Sequence, residues 1–236
     1  MSSRLAVIPA RGGSKRIKNK NIRDFAGRPM ICHILQSAVD SELFRDIHVS
    51  TDSKLIRDEV NKLGPFASFE RPSSLADDDQ PIFSTLKYVL SRFHAKGMFF
   101  DEIWLLMACA ALIEPEDLRL AAASYGRFGA GKNLLAVAPY PAPVEWAFDM
   151  DNENNLVPVT PNAFSMDSKQ MRRRYYDAGA FAIFSQKSVV DAPDAGSDKN
   201  FFGFELDPLK AIDIDTEDDW RQAERYYLMQ KRVKYG

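Results

Sequence analysis

The chain has 236 residues, of which 45% are hydrophobic and 27% are charged, a composition typical of a globular α/β domain with a substantial core. Its net charge of -2 excludes a general attraction to nucleic acid or to an anionic membrane, and no apolar stretch is as long as a membrane span. Cys32 and Cys109 occur without a signal-peptide pattern, so we expect reduced thiols in the cytoplasm rather than a disulfide or a metal pair.

Short apolar runs alternate with amphipathic stretches in chain order, which predicts a mostly parallel sheet with helices on both faces. The predicted strands cover residues 5–8, 47–49, 66–69, 103–107, 134–138, 180–184 and 211–214. Helices are predicted from Pro29, between 51–53 and Gly64, over 81–95, from Pro115, and over 216–230. We expect a single domain over residues 1–236.

The pattern changes after Pro139. Trp146, Phe148 and Met150 alternate with polar residues, and the run at 151–155 has the composition of a turn. This predicts a β-hairpin within an inserted lobe, residues 140–175, which we interpret as a lid or a dimer contact.

A glycine-rich basic loop follows the first predicted strand. Glycine lets the backbone approach an anion, and arginine and lysine donate to phosphate oxygens. The spacing matches neither a Walker A loop nor a dinucleotide-binding fingerprint. The plainer alternative is a solvated basic turn, but open α/β sheets bind ligands at this position. The loop reads Pro9-Ala10-Arg11-Gly12-Gly13-Ser14-Lys15-Arg16, followed by Lys18, Lys20 and Asn21.

Two aspartates near the C-terminus lie two residues apart in the run 211–215. In a strand, Asp213 and Asp215 would project from the same face. Two like charges at close range favour a cation between them, and oxygen-only ligands suit Mg²⁺. The alternative is that Asp215 caps the last helix and Asp213 is solvated. A cationic loop and a metal site together favour chemistry at a triphosphate.

With these residues in view, the chain resembles the cytidylyltransferases that activate nonulosonic (sialic-type) acids as CMP-sugars. The resemblance implies a Rossmann-like three-layer nucleotidyltransferase fold with a small inserted β-hairpin dimerisation lobe. It also implies transfer of CMP from CTP to the anomeric hydroxyl of the acid, dependence on Mg²⁺, and a homodimer. A non-catalytic nucleotide-binding protein is the alternative. The motifs that carry the resemblance are IPARGGSKRIKNKNI at 8–22, HVSTDS at 48–53, ERPSSLADD at 70–78 and AIDIDTEDDW at 211–220.

The resemblance also implies site residues. Lys20 would favour the departure of pyrophosphate, and Asp213 and Asp215 would hold Mg²⁺. The implied catalytic residues are Arg11, Lys20, Asp213 and Asp215. The implied nucleotide-binding residues are Ala10, Arg11, Gly12, Gly13, Ser14, Lys15, Lys20, Asn21, Arg71 and Ser84.

The acceptor site resembles that of the pseudaminic acid branch, through MACAALIEP at 107–115 and YYDAGAFAIF at 175–184. N-acetylneuraminic acid, legionaminic acid and other keto-sugar acids such as Kdo are the alternatives. The product would serve surface glycan or flagellin glycosylation. Arg173, in the run 172–174, would reach the carboxylate of the acid across a dimer interface, unless the run is a solvated surface. The other implied sugar contacts are Ala108, Cys109, Ala110, Asp177, Ala178 and Gly179.

Overall fold

A computed structural model describes residues 2–77, 80–129, 131–167, 171–193, 196 and 199–235. The main sheet is mixed, and its six strands lie in the order β10-β6-β9-β5-β1-β4. The strands are β1 (Arg4–Pro9), β2 (Asp24–Phe25), β3 (Arg28–Pro29), β4 (Asp46–Ser50), β5 (Glu102–Leu106), β6 (Asn133–Pro139), β7 (Phe148–Met150), β8 (Leu156–Pro158), β9 (Tyr175–Ser185) and β10 (Phe201–Glu205).

Helices connect most of these strands. They are α1 (Met30–Ser41), α2 (Lys54–Asn61), α3 (Ile82–His94), α4 (Pro115–Phe128), α5 (Gln186–Asp191) and α6 (Glu217–Tyr235). Short 3₁₀ turns cover Lys20–Ile22, Ser73–Leu75, Val144–Trp146, Ala163–Ser165 and Pro208–Lys210. None of the described helices is both long enough and apolar enough to cross a membrane.

Strand direction determines where a ligand can bind. β1 pairs in parallel with β4 and β5, and β10 pairs in parallel with β6, whereas β9 runs antiparallel to β5 and β6. The carboxyl ends of β1, β4 and β5 therefore meet at one edge of the sheet, the edge where α/β proteins bind ligands. The predicted fold class, a mostly parallel sheet between helices, is confirmed.

The core lies on both faces of the sheet. Ala6 and Ile8 of β1 pack in a cluster with α1, α2 and α4, and Leu5 and Val7 pack in a second cluster with α3 and α5. This alternation follows from the two-residue period of a strand covered on both sides. A third cluster joins α6 to the region after β1 through Ile17, Ile214 and Trp220.

Two predicted strands are wrong. Residues 66–69 pair with no strand in a ladder. Their contact with β4 is a hydrogen bond from Val49 N–H to the Phe66 carbonyl (2.7 Å). Residues 211–214 also form no strand, and Ile214 packs in the third cluster with Ile17 and Trp220. The strand at the sheet edge beside β6 is β10, which the pattern did not predict. Asp213 and Asp215 therefore lie on an irregular segment and not on one face of a strand.

The predicted hairpin is confirmed. β7 and β8 pair antiparallel, and Asp151 closes their turn by accepting hydrogen bonds from the N–H groups of Glu153 and Asn155 (2.8 and 2.9 Å). Residues 168–170 of the predicted lobe lie outside the described residues. Cys32 and Cys109 are both buried and free.

Candidate active site

A pocket of about 370 Å³ opens at the carboxyl edge of the sheet. Four parts of the chain line it: the basic loop between Pro9 and Asn21, the segment between Arg71 and Thr85, residues 107–109, and the two aspartates Asp213 and Asp215. The predicted phosphate loop and the predicted metal residues thus face one cavity, although nearly 200 positions separate them in the chain.

The long side chains of the basic loop line the pocket, whereas its two glycines do not. The polar and charged loop residues that line the pocket are Arg11, Ser14, Lys15, Arg16, Lys20 and Asn21. Gly12 donates its N–H to Asp52 Oδ1 (3.1 Å), and a Cβ on Gly12 would lie 3.0 Å from Ser53 Cβ. Gly12 is therefore needed for close packing against the end of β4. Gly13 is exposed with open space around it, and Ala10 is buried with its N–H bonded to the Ser50 carbonyl (2.9 Å).

The end of the loop is tied to the acidic segment. Asn19 adopts a left-handed conformation (φ 55°), a turn that asparagine tolerates. Lys20 Nζ then reaches the Ile214 carbonyl (2.5 Å) and lies 3.5 Å from Asp215 Oδ1. Asn21 is buried, and its Nδ2 donates to the Arg11 carbonyl (3.1 Å). Lys20 and Asn21 therefore fix both ends of the loop around the pocket.

The carboxylate of Asp215 pairs with the basic loop. Its Oδ2 lies 2.8 Å from Arg16 Nη1. The cap of α6 is made by other residues, since Asp219 accepts from the Thr216 N–H and hydroxyl (both 2.7 Å) and from Asp215 N–H (3.1 Å). The alternative interpretation, in which Asp215 caps the helix, is therefore wrong.

Asp213 lies on the same rim of the pocket. Loss of hydration raises the pKa of its carboxyl, and the negative charge of Asp215 raises it further, against the opposing effects of Lys20 and Arg16. The side chain is accessible, but surrounding protein displaces part of its water because the pocket is concave.

These two carboxylates fit a magnesium ion. A cation between them would relieve the repulsion that raises the Asp213 pKa. Within the described part of the chain, no group of three His, Cys, Asp or Glu side chains is placed to hold a metal. Mg²⁺ normally keeps waters and shares phosphate oxygens, so two protein carboxylates are an ordinary ligand set for it.

The segment after β4 supplies the opposite wall. Arg71 is 5% exposed, its N–H donates to the Thr51 carbonyl (3.0 Å), and its Nη2 lies 3.6 Å from Asp52 Oδ1. Burial lowers the pKa of Arg71, and Asp52 opposes that shift. Ser84 does not line the pocket; the neighbouring positions of α3 that do are Ile82 and Thr85. Asp78, in the motif at 70–78, lies outside the described residues.

Small residues of β9 and of the loop after β5 border the aspartates. Between Leu135↔Ala182 and Val137↔Asp177 the register of β9 shifts, so residues 178–181 bulge opposite Ala136. Asp177 Oδ1 accepts Gly179 N–H (2.9 Å) in this bulge. Gly179 has φ +61°, and a Cβ on it would lie 3.5 Å from Asp213 Cγ. The bulge therefore brings backbone against the predicted metal ligand.

The predicted sugar contacts divide between this region and the surface. Ala108 and Cys109 line the pocket, and Ala110 and Ala178 are buried beside it. Burial raises the pKa of the Cys109 thiol, which stays protonated at neutral pH. Arg173 lies elsewhere: it is exposed, and its Nη2 pairs with Glu205 Oε1 (2.8 Å). The reach of Arg173 into a partner's site stays a prediction.

Several pocket residues were not among the predicted site residues, including Arg16, Ile82 and Thr85. Arg16 was passed over for its neighbours Arg11 and Lys15, although a complete count of loop cations would have included it. Ile82 and Thr85 lie three positions apart at the start of α3, which is the spacing of one helical face. That spacing could have favoured Thr85 over Ser84.

Comparisons with known proteins place the chain in one family. The sequence model of a family described as cytidylyltransferase matches residues 5–235. The CMP-N,N'-diacetyllegionaminic acid synthase of Legionella pneumophila is 32% identical over 229 residues, 94% of each chain. The pseudaminic acid cytidylyltransferase of Campylobacter jejuni (strain 81-176) is 30% identical over 225 residues, covering 94% of this chain and 95% of the relative.

A solved structure shares the fold. CMP:2-keto-3-deoxy-manno-octonic acid synthetase complexed with CTP superposes with a TM-score of 0.68 at 18% sequence identity. The match covers 98% of this chain and 100% of the other. At this identity, the similarity shows a common fold.

Proposed function

The chain belongs to the cytidylyltransferase family, and from that premise we propose that it transfers CMP from CTP to the anomeric hydroxyl of a nonulosonic acid, with release of pyrophosphate. Its class, a CTP-dependent nucleotidyltransferase, is confirmed. Relatives at 30% and 32% identity that span nearly the whole chain are named for two such acids, which supports this class of acceptor. We take pseudaminic acid as the acceptor, because the motifs at 107–115 and 175–184 favour it. Legionaminic acid is the main alternative acceptor.

One observation carries the proposal: a cationic loop and two carboxylates line a single pocket. Arg11, Lys15 and Arg16 supply the positive charge that a triphosphate requires on its non-bridging oxygens. Neither group of residues alone would distinguish a nucleotidyltransferase from an anion-binding protein. Together they match the charge distribution of a nucleoside triphosphate bound with a divalent cation.

Different residues of the chain would have different roles in the reaction. Arg11 and Lys15 would hold the phosphates, and Lys20, whose ammonium group lies between the loop and Asp215, would stabilise the departing pyrophosphate. Arg71 on the opposite wall would bind the nucleoside end. Asp213 and Asp215 would hold Mg²⁺, which, when bound, neutralises charge on the phosphates.

We also propose a homodimer formed through the inserted lobe, in the cytoplasm. The lobe carries an apolar groove of about 290 Å³ whose lining includes Trp146, Phe148 and Phe164. Met150 and Leu156 of its hairpin are exposed, and contiguous exposed apolar surface is typical of an interaction site. The molar mass in solution, measured by light scattering, would be that of one chain if this proposal is wrong.

The acceptor assay tests the function. Pyrophosphate release is measured with CTP, Mg²⁺ and a panel of pseudaminic, legionaminic and N-acetylneuraminic acids and Kdo, with UTP as the nucleotide control. We expect CTP-dependent release with the highest kcat/KM for pseudaminic acid. Absence of CTP-dependent release with every acid would contradict the proposal, and CTP binding without turnover would favour the non-catalytic alternative.

A further inference from the structure

Asp52 lies just outside the pocket, between two of its walls. It follows the carboxyl end of β4, and Oδ1, a single carboxylate oxygen, makes both of the contacts that matter. That oxygen accepts the N–H of Gly12 from the basic loop (3.1 Å), and it lies 3.6 Å from Nη2 of Arg71 on the opposite wall. Three chain segments that are distant in sequence therefore meet at one atom.

Arg71 depends strongly on this contact. Its side chain is 5% exposed, and among the described residues its Nε and Nη2 have no hydrogen-bond partner. A buried guanidinium with so few partners is costly unless a negative charge compensates for its lost hydration. The carboxylate of Asp52 supplies that charge, and the backbone bond from Arg71 N–H to Thr51 holds the two residues side by side.

The loop depends on the same carboxylate. Gly12 donates its N–H to Asp52 and packs against Ser53. These two contacts fix the position of the loop relative to β4. Arg11 and Ser14, on either side of the glycines, both line the pocket. A shift at Gly12 would therefore move the side chains expected to hold phosphate.

We propose that Asp52 is a positioning residue that couples the phosphate loop to Arg71, so that the triphosphate and nucleoside ends of CTP are recognised as a unit. The inference rests on the proposed function, because CTP is the ligand whose two ends the pocket would hold. It predicts a role for a residue that touches neither the metal nor the acceptor.

Two variants separate the two contacts. Asp52→Asn keeps an oxygen acceptor for Gly12 N–H but removes the charge that faces Arg71. Asp52→Ala removes both contacts. Inorganic tripolyphosphate probes the loop alone, whereas CTP probes the loop and the nucleoside wall together.

The experiment is isothermal titration with Mg²⁺ and no acceptor, followed by steady-state kinetics. We expect Asp52→Asn to weaken CTP binding by about tenfold and tripolyphosphate binding by less than about twofold. Asp52→Ala should weaken both by about tenfold. The KM for CTP should rise while kcat stays within about threefold. Asp58→Asn, the same change at an exposed position of α2, is the matched control and should match wild type.

A cycle with Arg71→Ala isolates the coupling. In that background, adding Asp52→Asn should change the Kd for CTP by less than about twofold, because the partner of the charge is already gone. The inference would be overturned if Asp52→Asn weakened CTP binding as much in the Arg71→Ala background as in the wild type. It would also be overturned if Asp52→Asn weakened CTP and tripolyphosphate binding equally, or if both Asp52 variants bound CTP as the wild type does. Wild-type protein that binds CTP but transfers CMP to no acid overturns the proposed reaction and leaves the binding test of Asp52 intact.

Discussion

Two of the walls of the pocket differ in their chemistry. The charged wall consists of the basic loop with Asp213 and Asp215, and ion pairs such as Arg16–Asp215 and Lys20–Asp215 cross it. The apolar wall consists of residues 107–109 in the loop after β5. A hydrogen bond from Met107 N–H to the Ala180 carbonyl (2.9 Å) joins this loop to the bulge of β9, which contains the small residues Ala178 and Gly179. Long flexible side chains form the first wall, and backbone position defines the second.

This difference separates two tasks of a nucleotidyltransferase. Cations and carboxylates recognise a triphosphate and a metal whatever the acceptor is, because their interactions depend on charge. Small apolar residues select an acceptor by shape and by the few backbone groups they leave within reach. Changes on the charged wall should therefore slow transfer to every acceptor alike, and changes on the apolar wall should alter the order of acceptors.

The largest effect is expected from the two aspartates. Asp213→Asn or Asp215→Asn should lower kcat by about 10³-fold with each acid, because one ligand charge for Mg²⁺ is lost. The binding of Mn²⁺, followed by electron paramagnetic resonance, should weaken in parallel. Asp218→Asn, on the exposed first turn of α6, is the control and should leave both unchanged. Acceptor-dependent losses would break the proposed separation of the walls.

Lys20 should come next. Lys20→Ala removes the ammonium group that lies between the loop and Asp215, and we expect kcat to fall by about 10²-fold because the charge that develops on pyrophosphate loses a partner. Lys18→Ala is the matched control, since Lys18 is exposed on the same loop and outside the pocket lining. Comparable losses in the two variants would indicate that overall loop charge, and not the position of Lys20, is what matters.

Part of this site could be predicted from the sequence because its signals are local. The alternation of β1, the glycines and cations after it, and the hairpin turn at 151–155 each depend on residues close together in the chain. The start of the last helix, predicted at residue 216, is equally local, because Thr216 and Asp219 cap it with mutual hydrogen bonds.

Other parts depend on contacts that no local pattern encodes. The run 211–215 alternates like a strand, but Ile214 packs against Ile17 and Trp220 while β10 takes the sheet edge. The bulge in β9 is defined by a register shift against β6, a strand about 40 positions earlier in the chain, which the pattern of β9 alone does not reveal. Asp52 lies in the run 51–53 at the start of a predicted helix, but Ser53 caps α2 and Asp52 accepts a hydrogen bond from Gly12, 40 positions away.

Gly179 tests where the two walls touch. Gly179→Ala places a methyl group about 3.5 Å from Asp213 Cγ at a positive φ, so we expect a loss of about 1 kcal/mol in stability and roughly a tenfold loss of activity. Gly97→Ala is the matched control, because Gly97 also has positive φ but has open space around its Cβ position. Both variants should show similar lowering of Tm, and only Gly179→Ala should lose activity.

Cys109 tests the apolar wall by itself. Cys109→Thr replaces a thiol with a hydroxyl and adds a methyl group at a buried position that lines the pocket. We therefore expect the ratio of kcat/KM between pseudaminic and legionaminic acid to change by about threefold to tenfold. The KM for CTP should remain within about twofold of wild type. A changed CTP KM with an unchanged acceptor ratio would show that Cys109 belongs to the nucleotide side of the pocket.

The smallest effect concerns the stability of the charged wall without metal. The pKa of Asp213 is raised in the folded protein, so its protonated form is favoured there, and that stabilisation is lost as pH rises through the raised pKa. At pH 7 without Mg²⁺, Asp213→Asn should therefore raise Tm, on the order of 1 °C because solvent in the open pocket screens the charge. The gain should vanish near pH 3, where wild-type Asp213 is neutral as well. Adding Mg²⁺ at pH 7 should make the wild type the more stable protein, because only the wild-type pair of carboxylates gains stability by binding the ion. If Asp213→Asn kept the higher Tm with saturating Mg²⁺, Asp213 would not hold the metal.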